Sequence, residues 1–168
     1  MKDLLTSYSK YNHWANQRVC EFLFSLSDEE LDKEIVSSFP SLRKTILHVW
    51  DAQVIWLVRL KGDSLSSFPS KGFNGTVKEA ADGLLKTSRD LTEFVESSSE
   101  NFLETPLIYK NLAGEEFKSK VCDILQHVMN HGTFHRGQMI TMLRQLGYTR
   151  LFSTDYIAFC REVVETKN

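Results

Sequence analysis

Residues 123–148 read DILQHVMNHGTFHRGQMITMLRQLGY, and His127, His131 and His135 recur in this run every four residues. Side chains four apart lie on one face of a helix about a turn above each other, so adjacent members of the series can aim two imidazoles at one point. The spacing predicts a helix from about Val121 to Leu146, with Gly147 as a left-handed C-terminal stop. It does not choose between the pairs 127/131 and 131/135. Direction drifts by about 40° per four-residue step, so His127 and His135 are roughly 80° apart on the helical wheel and cannot both join His131 equally.

Two ligands do not complete a site, because an open catalytic zinc-type centre uses three protein donors and leaves a position for water or substrate. The third candidate is His48, within SLRKTILHVWDAQVIWLVRL (41–60). Leu47, Trp50, Val54, Leu57 and Val58 are read as the buried stripe of this helix, with His48 beside it on an inward face. An inward histidine must be hydrogen-bonded, metal-bound or strained. Taken alone it is more often a satisfied core residue than a ligand, and it is the histidine pair on the other helix that favours a metal. The pair is not the zinc-protease motif HExxH, since Gly132, Thr133 and Phe134 separate its members and no glutamate follows the first histidine. A di-iron carboxylate centre would need Glu three residues before a histidine on two helices, and none of the five histidines has one. One divalent ion per chain is expected.

Working outward, spacings of three and four predict a first helix from about Leu4 to Leu26, carrying Leu5, Tyr8, Tyr11, Asn12, Ala15, Val19, Phe22 and Leu23. Ser27 followed by Glu30 is a capping box that starts a short helical turn. Ser41 begins the His48 helix, which ends near Gly62. GDSLSSFPSKGFNGT (62–76) is a loop long enough for a crossover connection. Thr76 and Glu79 form a second capping box, opening a helix with Leu84, Leu85, Leu91 and Phe94 that continues to about Ser99. Leu107–Lys110 and Glu116–Lys120 read as a hairpin turning at residues 111–114, and TDYIAFCREVVE as a short final helix capped by Ser153 or Thr154. The expected fold is all-α: a four-helix bundle with a small β-hairpin before the fourth long helix and a short C-terminal helix, one domain over residues 1–168.

Composition narrows the function classes. The formal charge is −2, from 20 basic and 22 acidic residues. No Lys/Arg-rich stretch could neutralise several phosphates along one face, which argues against nucleic-acid binding. No apolar run approaches the roughly 20 residues that span a bilayer, and the N-terminus lacks a signal-peptide core, so a cytoplasmic protein without membrane partners is expected. Cys20, Cys122 and Cys160 are odd in number and contain no CxxC pair, which fits reduced thiols rather than disulfides. Cys20 and Cys122 are read as small buried hydrophobes; Cys160 is left open between packing and chemistry.

YNHWANQRV (11–19), LHVWDAQVIWLVRL (47–60), HVMNHGTFHRGQMITMLRQLG (127–147) and TDYIAFCRE (154–162) together resemble the DinB family and its YfiT-like relatives. The segments occur in the family's order over nearly the whole chain, and HxxxHRGQ is the most specific of them. The resemblance implies an atypical four-helix bundle, often a homodimer, holding one divalent ion, nickel or zinc, on three histidines that match His48, His131 and His135. It also implies thiol S-transferase chemistry with a low-molecular-weight thiol such as bacillithiol or mycothiol as co-substrate and a small-molecule electrophile; one relative is a mycothiol-dependent maleylpyruvate isomerase. An open metal position could equally activate water for hydrolysis, or the ion could only staple helices in a non-catalytic stress protein.

Ligating histidines usually donate their second N–H to a neighbour, and Asp51, Asn130 and His127 are candidates for that supporting role, weighed against ordinary helix-surface polarity. His13 is expected to pack among aromatics rather than face the metal. Arg136, about 100° from His135 on the wheel, is expected in an inter-helix ion pair or a dimer contact. Trp14, Trp50 and Trp56 are expected in the core.

Overall fold

The computed structural model describes residues 1–111 and 113–165. Leu112, inside the expected hairpin turn, and residues 166–168 lie outside the described residues. Four long helices, α1 (Lys2–Leu23), α3 (Leu42–Leu60), α4 (Val77–Ser97) and α6 (Val121–Gln145), are joined by short helices α2 (Asp28–Asp32) and α5 (Glu100–Leu103) and followed by α7 (Tyr156–Glu165). Strands β1 (Pro106–Lys110) and β2 (Glu116–Lys120) pair antiparallel just before α6, with Pro106 opposite Lys120 and Lys110 opposite Glu116. Both capping boxes form: the Ser27 and Thr76 hydroxyls accept from the backbone N–H of Glu30 and Glu79, whose carboxylates accept in return from the cap backbones. Ser41 caps α3 by accepting from the Lys44 N–H. Gly147 ends α6 with φ 98°, a conformation that only glycine adopts without a Cβ clash.

The helix expected to reach Ser99 stops at Ser97. Ser98 is extended, and the Ser99 hydroxyl accepts from Phe102 N to cap α5. Serine hydroxyls compete locally for backbone groups, so a Ser-Ser-Ser run offers the chain a cap in place of another helical turn.

α1 packs on α4 and α6, and α3 packs on the same two helices, so α1 and α3 face each other across a diagonal. One apolar cluster joins Val19 and Leu23 with Leu42, Ile46, Val49, Ala81, Leu84, Met139 and Met142. A second joins Leu5 with Leu57, Leu60, Leu91, Val95, Leu125, Val128 and Met129. α3 and α4 both run from the first cluster to the second, while α1 and α6 run the opposite way. The neighbours α3 and α4 are therefore parallel, and residues 61–76 make the expected crossover, lying back along α3 where Ser70 N and Oγ donate to Asp51.

The buried stripe of α3 differs from the expected one. Ile46, Val49, Gln53, Leu57 and Leu60 are buried, whereas Leu47, Trp50, Val54 and Val58 are only half-buried. The helix is covered by α4, α6, α2 and the crossover, and among its residues only Lys44 is exposed, so apolar periodicity cannot identify its innermost face.

Between the two apolar clusters lies a polar layer. Arg136 is 1% exposed. Its Nη1 donates to Asn12 Oδ1 at 2.8 Å and Asn16 Oδ1 at 2.7 Å, and its Nη2 to Thr133 Oγ1 at 2.8 Å. Asn16 Nδ2 donates to Ser88 Oγ, which donates to Gln53 Oε1, both at 2.9 Å. The arginine expected in an ion pair or a dimer contact thus turns inward: 100° from His135 is the direction of α1, and its partners are neutral amides and a hydroxyl. Gly132 makes room for it, since a Cβ there would stand 2.9 Å from both Arg136 Nη1 and Asn12 Oδ1.

Gly83, in the interior of α4, has a similar reason: an added Cβ would run into the Trp50 indole. Gly83→Ala gains about 1 kcal/mol of helix propensity but overpacks a ring lodged against Phe73, which costs about 1–3 kcal/mol. Urea denaturation is expected to show a net loss of stability; a stabilised variant would mean that Trp50 moves freely.

Candidate metal centre

α3 and α6 lie antiparallel, so His48 meets the turn of α6 between His131 and His135. The Nε2 atoms of His48 and His131 are 3.0 Å apart, those of His131 and His135 3.1 Å, and donor atoms of all three lie within 4.8 Å of one another. Among the described residues no other group of His, Cys, Asp or Glu converges in this way, and no fourth such residue joins this one.

The proton inventory favours a cation between these rings. Gln138 Nε2 donates to Ser38 Oγ at 2.8 Å, which turns its Oε1 to accept the Nδ1 proton of His135, also at 2.8 Å. With Nδ1 protonated, neutral His135 presents a lone pair at Nε2. His131 Nε2 meets both of its neighbours yet carries only one proton or one lone pair, so two ordinary hydrogen bonds cannot both form. Three lone pairs directed at one divalent ion remove the conflict, and separations of 3.0 and 3.1 Å are within reach of nitrogens each about 2.1 Å from a shared ion.

Electrostatics keep the rings in the ligating form. Burial, then the neighbouring His135, His48 and His127, pushes His131 down to about 4. Burial likewise lowers His48, with His135 adding to it and Asp51 opposing, and it lowers His135 against the opposing hydrogen bond to Gln138. Phe39 stacks on His48 with ring centroids 3.9 Å apart, shielding one face.

The other candidates take different places. His127 stays outside the convergent group; its ring stands 6.0 Å from His131 and edge-on to Trp56 at 5.2 Å, so it is the 131/135 pair and not 127/131 that converges with His48. Asp51, one turn beyond His48, accepts from Ser70 and ties down the crossover loop. Asn130 Oδ1 accepts from Tyr8 Oη at 2.9 Å, toward α1. His13 is half-buried and lies near Arg89 of α4, whose charge adds to burial in depressing its pKa. Cys20 is buried and raised to about 12 by desolvation, an inert thiol; Cys122 is also buried and raised. Two contributors, Phe39 and Gln138, had no assigned role in the sequence reading. Gln138 had a usable signal, three residues after His135 on the same helix face; Phe39, in the segment before α3, had none.

The cluster borders an open cleft of about 660 Å³ whose walls include His48, His131, His127, Trp56, Phe68 and Arg59. Trp56 therefore lines the cleft, while Trp50 packs against Phe73 and Trp14 against Phe159.

A family model described as "DinB family" matches residues 1–163. The chain is 32% identical over 163 residues to Protein DinB of Bacillus subtilis (strain 168), covering 93% of each. Its fold is similar to the solved structure of a DinB-like protein from Bacillus subtilis, with TM-score 0.68 and 14% identity over 88% of this chain and 97% of that one. A DinB-like protein from Bacillus cereus ATCC 10987 gives TM-score 0.62 and 24% identity over 83% and 90% of the two chains. The chain belongs to the DinB family.

If Gln138 fixes the tautomer of His135, Gln138→Leu should weaken zinc binding by about 10- to 100-fold while leaving the helical circular dichroism spectrum unchanged. Equal zinc affinity in a competition titration would show that the amide has no such role.

Proposed function

We propose that this DinB-family protein is a metal-dependent thiol S-transferase, joining a low-molecular-weight thiol to a small electrophile. The observation that carries the reading is a set of three histidine donors, without a fourth among the described residues, opening on a cleft large enough for a small molecule. A structural ion usually takes four protein ligands, whereas an open position serves catalysis. A divalent ion held by His48, His131 and His135, zinc or nickel as the DinB resemblance implies and as neutral imidazole donors accept, would supply Lewis acidity that makes a thiol acidic enough to act as nucleophile at neutral pH.

The chain's own residues do the rest. Gln138 orients His135, Phe39 shields His48, and Trp56 and Phe68 give the cleft an apolar wall against which the body of an electrophile can lie. In the transfer, the thiol sulfur bonds to the electrophilic carbon, the leaving group departs with its bonding pair, and the thiol proton passes to water at the open mouth. Hydrolysis is the less favoured chemistry. Metal-bound water can ionise near neutral pH, but a protein base to assist its attack is poorly provided for: Asp51, the one carboxylate lining this cleft among the described residues, is held by two hydrogen bonds from Ser70. A thiol needs less help, because its ordinary pKa of about 8.5 is already close to neutral. We also place this activity in the cytoplasm; no helix among the described residues is long and apolar enough to cross a membrane.

Zinc- and nickel-loaded protein, offered bacillithiol, mycothiol or glutathione with 1-chloro-2,4-dinitrobenzene or monobromobimane, should form conjugate faster than the free thiol does. His131→Ala should return the rate to the uncatalysed one. Parent and variant indistinguishable with every thiol tested would contradict the proposal.

A further inference from the structure

We infer that Arg59 anchors an anionic group, a carboxylate at the far end of the thiol, and so selects acidic thiols over neutral ones. The inference rests on the thiol reading above and adds the class of thiol to it.

Arg59 stands on α3 eleven residues after His48, which at about 100° per residue returns it to within roughly 20° of the same helix face. The two side chains line one cleft, three turns apart. Their Cα atoms are separated by about 16 Å at 1.5 Å per residue. A ligand with sulfur at the histidines and an anion at Arg59 therefore spans at most the length of roughly five extended residues.

The guanidinium is held in place but not neutralised. It lies 4.7 Å from the Trp56 ring centroid and 5.3 Å from that of Tyr109, and Nη2 donates to the Lys110 carbonyl at 2.8 Å. That is its one hydrogen bond among the described residues, so most of its five N–H donors remain available. Asp63 and Glu116 border the adjoining cleft, yet neither forms an ion pair with Arg59, and Lys110 adds a second positive charge there. Half-burial depresses the Arg59 pKa. A half-buried cation set against two aromatic rings that pack edge-on at 5.1 Å, with most of its donors unused, can take a carboxylate, and a planar fork takes it in bidentate fashion.

The test uses cobalt-loaded full-length protein, in which thiol binding is read from the visible spectrum independently of turnover. Glutathione and its diethyl ester share thiol and size but differ in their carboxylates. We expect glutathione to bind at least about tenfold tighter than the ester. Arg59→Gln should erase the difference while leaving ester binding unchanged, and Arg59→Lys should restore part of it. An equal affinity for both ligands in the parent, or the same preference in Arg59→Gln, would overturn the role of Arg59 and leave the thiol reading intact. If neither thiol perturbs the cobalt spectrum, the thiol reading fails instead. Glutarate quenching of tryptophan fluorescence then decides the anion site: saturable quenching lost in Arg59→Gln supports it, and no saturable quenching overturns it.

Discussion

Three imidazoles can point at one place only if α3 and α6 lie side by side in a fixed register, with His48 opposite the turn between His131 and His135. Two apolar clusters set that register. On one side Leu42, Ile46 and Val49 mesh with Met139, Met142 and Leu143; on the other Leu57 and Leu60 mesh with Ile124, Leu125, Val128 and Met129. A slip of one helical turn, about 5.4 Å, would disrupt both clusters and part the histidines at once. The polar layer between the clusters adds direction to this packing. Arg136, adjacent to His135, is fastened to Asn12 and Asn16, and Asn16 continues through Ser88 to Gln53, five residues beyond His48. A chain of hydrogen bonds thus links the two ligand-bearing helices through the other two. Buried polar groups of this kind can bind only in one arrangement, so they specify a register where apolar contacts alone would tolerate several.

The same burial sets the chemistry. Rings withdrawn from water and set beside one another resist protonation, which leaves their lone pairs free at neutral pH. The exposed side of the cluster is the cleft, with Trp56 along its wall and Arg59 three turns from His48. His48, Trp56 and Arg59 are spread along α3, so one helix supplies one of the three histidines and much of the cleft wall beside them.

Much of this was legible in the sequence. Ser27/Glu30 and Thr76/Glu79 announced helix starts because a capping box is a local hydrogen-bond pattern, and the His131/His135 pair announced a metal-compatible face because helical spacing is fixed. His48 was legible as a third donor from its inward place on a second helix, whereas the choice of 131/135 over 127/131, which spacing leaves open, rested on the resemblance to the DinB family. Where the reading failed, the missing information was tertiary. The innermost face of α3 is hidden because nearly all of that helix is covered, and Arg136 defied its expected ion pair because the amides that receive it come from a helix more than a hundred residues away. Asp51 and Asn130 were placed near the histidines by sequence, but their hydrogen bonds go to Ser70 and Tyr8, from segments whose proximity no local pattern records.

The central claim is that His48, His131 and His135 form one site for one divalent ion. The most direct measurement is elemental analysis of untagged protein after exposure to zinc, nickel, manganese and iron, beside His48→Ala, His131→Ala and His127→Ala. The account predicts one equivalent of metal in the parent, retained in His127→Ala and lost in the other two. A parent that holds no metal, or loss in His127→Ala with retention in His131→Ala, would contradict it.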